Sequence, residues 1–179
     1  MKLMPISLVL LAVTVGAGNL SARDCFPEQS VSYSPDKQYS ILWREPKDNE
    51  AHHLVVSDGK RKTDFYEFDR HACVCWEPTG EHFALTDYTG SNVSEAYLYS
   101  LNGAQKVLDI LDIVPPALRE LYAKNHHSYI EVLSWTKIGM LVHLWGYGDL
   151  SPNGFDETLR CSKGDDHQWH CIEERPTKR

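Results

Sequence analysis

The chain has 179 residues, with 18 lysines and arginines against 25 aspartates and glutamates, nine histidines and a formal net charge of −7. Nucleic acids and anionic lipids are held by clustered Lys and Arg, so neither is expected as a partner. Hydrophobic residues make up 42 %, enough for one domain with its own core.

At the start, Lys2 precedes an apolar run from Ile6 to Val15, broken only by Ser7 and Thr14 and followed by small residues from Gly16 to Ala22. This is the layout of a secretory signal. The run is shorter than the ~20 residues a membrane-spanning helix needs. Small residues permit cleavage after Ala17 or Ala22, and Ala22 is preferred, so residues 1–22 are expected to be the signal peptide and 23–179 a single β domain. Cys25 follows Ala22, Arg23 and Asp24, which is no lipidation signal. No later run approaches membrane length, so no membrane insertion is expected after cleavage, and the protein is expected to be periplasmic or secreted.

Five cysteines in an exported chain point to disulfides, with one cysteine left over. Cys161 and Cys171 flank the turn-rich stretch Lys163 to Asp166 and are expected to bridge a hairpin. Cys25 is then expected to pair with Cys73 or Cys75, tying the N-terminus to the body.

Three segments align without gaps: Tyr33 to Leu42, Trp76 to Leu85 and Trp135 to Leu144. Each opens on an aromatic, passes a turn and ends on a leucine, with Val31, Val74 and Leu133 two residues upstream, on one face of a strand. Downstream, Asp58-Gly59, Asn102-Gly103 and Lys163-Gly164 mark hairpin turns. The fold expected is therefore mostly β: three four-stranded antiparallel meander units, at about residues 31–70, 71–114 and 129–174. One short helix is inserted at about 115–125, where Pro115 and Pro116 open an amphipathic run carrying Leu118, Leu121 and Tyr122.

Ser34-Pro35-Asp36 after an aromatic, and the strand and turn Tyr97-Leu98-Tyr99-Ser100-Leu101-Asn102-Gly103, resemble the blade of WD40-like or TolB-type β-propellers. The resemblance implies a propeller-blade-like repeat over roughly residues 31 to 174. The chain supplies three such units where propellers have four to eight blades, lacks the closing Trp-Asp, and has Thr136-Lys137-Ile138 where the third turn should be. Three arrangements are compatible with it: a homodimer completing a six-bladed ring, a tight three-unit closure, or a monomer of stacked meanders.

His71, Cys73 and Cys75 alternate along one strand and are soft metal ligands, but His71 and Cys75 would lie ~13 Å apart, so no metal site is expected. Trp76 and Trp135 occupy equivalent core slots, whereas Trp43 and Trp145 follow the aligned leucines. The loops Thr86 to Glu95 and Gly146 to Gly154 combine glycine with aromatic, acidic and amide side chains. Loops of that kind on a rigid scaffold carry recognition. Tyr88 and Tyr147 are candidates to stack on a sugar or peptide, with Asp87, Asn92 and Asp149 as polar contacts.

The chain carries no Gly-x-Ser-x-Gly, metal-protease or phosphate-loop pattern, so no catalytic residue and no cofactor is expected. The function expected is a non-catalytic binding module for a protein or cell-envelope ligand. Its rivals are a small hydrolase using an Asp/Glu pair and a structural subunit assembling through β edges.

Overall fold

The computed structural model describes residues 23–47, 50–149 and 151–174, so the expected signal, residues 1–22, lies outside the described residues. The chain is mostly β, in three antiparallel sheets. The first sheet joins β2 (Val31–Tyr33), β3 (Ser40–Arg44), β4 (His52–Ser57) and β5 (Lys62–Phe68) in sequence order. The second joins β6 (Ala72–Trp76), β7 (His82–Asp87), β8 (Glu95–Ser100) and β9 (Gln105–Asp109) in the same way. A 3-10 turn (Ile110–Ile113) and helix α1 (Pro116–Lys124) lead to the third sheet, β10 (His127–Thr136), β11 (Gly139–Tyr147), β12 (Phe155–Lys163) and β13 (Trp169–Glu173). Each is a meander.

The second sheet has a fifth member. The segment after the expected signal forms β1 (Arg23–Phe26), which pairs antiparallel with β6, Cys25 opposite Cys73. Its side chains reach all three sheets. Ser32 of β2 donates to Asp24 at 2.6 Å, Cys73 of β6 is bonded to Cys25, and Glu131 of β10 takes the Arg23 guanidinium.

Burial explains the layering. Every residue of β6 is buried, as are Phe83 to Asp87 of β7, so these strands show no apolar alternation. A strand covered on both faces needs none. One face, with Ala84, Ala96 and Leu98, packs on Val132, Trp135, Met140, Val142 and Leu144 of the third sheet. The other, with Val74, Trp76, Phe83 and Leu85, packs on Ile41, Leu54 and Val56 of the first. Each large side chain buried this way contributes about 1.5–3 kcal/mol. The second sheet is thus the middle layer, and among the described residues the three sheets form no closed ring.

β10 is docked through its backbone as well. Thr86 Oγ1 accepts from Val132 N at 3.1 Å, and Ser94 Oγ accepts from Ile130 N and donates to Ile130 O, both at 2.9 Å. These side chains satisfy an edge that would otherwise carry unpaired groups.

The three leucines do not occupy one slot. Leu42 faces Val31 and Leu85 faces Val74 across their hairpins. In the third sheet a bulge at Leu133 and a two-residue turn after Thr136 shift the register, so Val142 faces Val132 and Leu144 faces Ile130. Leu133 is pushed out to 38 % exposure instead of sharing the face of Val31 and Val74. Leu42 is only half-buried, because in a sheet covered on one side the neighbouring Ile41, at 0 % exposure, takes the core face.

Candidate functional site

The last residue of β7, Asp87, and the next residue, Tyr88, point to different layers. Asp87 is 3 % exposed and lies on the first-sheet side, where Tyr66 Oη donates to its Oδ2 at 2.7 Å. Its other oxygen is buried without a hydrogen-bond partner among the described residues. Burial, reinforced by the charges of Glu95 and Asp69 and opposed by the Tyr66 hydrogen bond, pushes its carboxyl up to about 6. Glu95 stands directly opposite across β7 and β8 and accepts from Tyr97.

Tyr88 turns the other way. Its hydroxyl donates to Glu131 and accepts from Arg23 Nη1 at 3.4 Å, while Arg23 also bonds Glu131. Burial would raise the Glu131 carboxyl, but the Tyr88 and Arg23 hydrogen bonds outweigh it and hold the group below its ordinary value. Tyr88 is raised, by burial first and then by the neighbouring carboxylate. Glu131 also meets His143, whose Nδ1 lies 3.5 Å from Oε1 and whose Nε2 lies 2.8 Å from Asp156 Oδ1.

The outer face of the third sheet carries a row of rings. β11 alternates cleanly: Met140, Val142 and Leu144 are buried, whereas Leu141, His143 and Trp145 are half-buried. That period of two sends the second set outward. His143 stacks on Trp145 at 4.3 Å, Trp145 on Tyr129 at 5.0 Å, and Tyr147 on His127 at 4.4 Å. Tyr147 is 50 % exposed. Gly146 makes this close approach feasible, since a Cβ there would come within 2.3 Å of His127 O.

The two loops expected to carry recognition meet at the start of β10. Asn92 Nδ2 donates to His126 O at 3.2 Å, and Asp149 Oδ2 lies 3.1 Å from His126 Nε2. The structure therefore brings Asn92, Tyr147 and Asp149 around His126 and His127. Tyr88 lies with Arg23, Glu131 and His71, and Asp87 is inward with Tyr66. Trp145, Tyr129 and His143 complete the ring row and were not singled out as one site from sequence. The signal for them was the spacing of Tyr129, Glu131, His143, Trp145 and Tyr147 at two-residue steps, readable only once β10 and β11 are known to pair. Trp76 and Trp135 are buried, at 2 % and 1 % exposure, and Trp43 donates to His52 Nδ1 at 3.0 Å.

The disulfides are Cys25–Cys73 and Cys161–Cys171, and Cys75 lies buried in the core between the second and third sheets. His71, Cys73 and Cys75 do not form a cluster. Cys25, His71 and Cys73 do, with side-chain atoms within 4.8 Å of one another, but both sulfurs are bonded to each other. At the opposite end of the molecule, the turn with Glu77, Glu81 and His82 adjoins a cleft of about 620 Å³ lined by Trp135, Ile138 and Trp169. No protein-family model matches the chain, and neither the curated proteins nor the solved structures contain a significant match.

Proposed function

We propose that this chain is an exported, non-catalytic binding module that holds a cell-envelope glycan on the outer face of its third sheet. One observation carries the reading: two ring stacks, His143–Trp145–Tyr129 and Tyr147–His127, share one sheet face, bordered by Asp149 and Asp156. The exposed parts of rings held rigid by stacking offer apolar area at little entropic cost, and carboxylates and imidazoles beside them hydrogen-bond hydroxyl groups. Export is supported by the signal-like leader and by two disulfides, which belong to an oxidising compartment. We read each sheet as a propeller-blade-like unit, supported by the meander order and by the Ser34–Asp36 turn, where Ser34 Oγ donates to Asp36 Oδ1 at 2.7 Å.

The test is titration of purified protein with envelope polysaccharides, followed by tryptophan fluorescence. Trp145→Ala and Tyr147→Ala are each expected to weaken binding about tenfold, the equivalent of about 1.4 kcal/mol. Unchanged affinity in both would remove the reading.

A second reading is favoured by Asp87, a buried carboxyl raised to about 6 with Glu95 opposite it. A carboxyl so placed suits a general acid in a small hydrolase. Turnover of any glycan, peptide or ester in a substrate panel, lost in Asp87→Asn, would establish it over the binding module.

A further inference from the structure

The two disulfides sit in different chemical surroundings. At the first, His71 Nε2 stands 3.2 Å from Cys73 Sγ, and His71 Nδ1 lies 3.1 Å from Glu28 Oε1. Carboxylate, imidazole and sulfur thus form a line ending on the disulfide. At the second, the neighbouring His170 pairs with Asp166 Oδ2 at 3.0 Å. Exposure differs too. Cys25 is only partly buried while Cys73 is 2 % exposed, whereas Cys161 and Cys171 are at 0 % and 7 %.

This arrangement matters because thiol–disulfide exchange depends on access to the attacked sulfur and on the stability of the leaving thiolate. An imidazole N–H beside a sulfur can hand its proton to the leaving thiolate, and a carboxylate on the far ring nitrogen orients the ring. The titratable groups facing His71 are Glu28, the Tyr88 ring edge-on at 5.2 Å, and Asp87, whose charge acts on it from the end of β7. The cluster that a metal-site reading would draw from Cys25, His71 and Cys73 is better explained by this chemistry, since it leaves the sulfurs bonded.

We infer that Cys25–Cys73 is a thiol–disulfide exchange site whose co-substrate is a dithiol, with His71 as the acid for the leaving sulfur. The dithiol's thiolate attacks Cys25 Sγ, forming a mixed disulfide and breaking the Cys25–Cys73 bond. The bonding pair leaves on Cys73 Sγ, which takes the proton from His71 Nε2. The second thiolate of the dithiol then attacks its own mixed-disulfide sulfur and expels Cys25 as a thiolate. Two electrons pass to the protein and the dithiol leaves as a cyclic disulfide. Run in reverse, the reduced cysteine pair reduces a disulfide and returns to its oxidised form.

The test uses the full oxidised protein, dithiothreitol as the probe, and alkylation with peptide mapping to follow both disulfides in one sample. In the wild type, Cys25–Cys73 is expected to open first. The ratio of its rate to that of Cys161–Cys171 is the readout, because the probe's own ionisation cancels in it. His71→Gln should lower that ratio at least about tenfold, and Glu28→Gln should lower it less. An unchanged ratio in His71→Gln, or first opening of Cys161–Cys171, overturns the inference. Should His71→Gln expose Cys161–Cys171 by misfolding, Glu28→Gln decides alone, and an unchanged ratio there is equally fatal.

Discussion

Asp87 shows how much one buried carboxyl can do. Its value near 6 lies above the ordinary 3.8, so between those values the folded chain keeps a proton that the unfolded chain has lost. Stability attributable to this residue therefore falls as pH rises through that window, and is lower by about 3 kcal/mol above it. Asp87→Asn keeps an acceptor for Tyr66 and removes the buried charge. It should raise the urea midpoint at about pH 8 and leave it nearly unchanged at about pH 4, and an equal effect at both would mean that charge burial is not the cause. Glu131 behaves oppositely. Held below its ordinary value by Tyr88 and Arg23, it contributes stability at neutral pH that is lost as pH falls through its folded value. The chemistry of Asp87 was half legible in the sequence, which placed it in a loop as a ligand contact. Tyr66, which buries it, comes from a different sheet, and no local pattern announces that partner.

Within single elements, Gly146 and the two cross-links make the sharpest claims. A Cβ at Gly146 would strike His127 O at 2.3 Å and the Phe155 ring at 2.8 Å, both inside a paired strand. Gly146→Ala should cost several kcal/mol in denaturant unfolding, as overpacking against backbone does, and should disturb the Tyr147–His127 stack. A cost below about 0.5 kcal/mol would mean that β10 and β11 lie further apart. The disulfides close loops of 48 and 10 residues, so chain entropy assigns about 4 and about 3 kcal/mol to them. Replacing Cys25 and Cys73 together by alanine should accordingly lower the urea midpoint more than replacing Cys161 and Cys171. The hairpin bridge was readable because Cys161 and Cys171 flank a turn. The choice between Cys73 and Cys75 was not, because both lie on the same face of β6 and only the pairing of β1 puts Cys25 opposite Cys73.

Two cores share the middle sheet, one holding Trp76 and the other Trp135. Because β6, β7 and β8 contribute to both, neither core can open without exposing strands of the other. Far-UV circular dichroism and tryptophan fluorescence are expected to report one coincident unfolding transition; two separated steps would show the outer sheets melting independently. The meanders, the turns at Gly59 and Gly103 and the helix at Pro116 were visible along the chain, since alternation, turn chemistry and proline placement act within about ten residues. The insertion of β1, the outward turn of Leu42, the bulge at Leu133 and the assembly of the ring row were not. Each depends on contacts between distant segments, such as Arg23 with Glu131 across 108 residues, and which face of a strand is covered is settled by what packs on it, not by the strand's own residues.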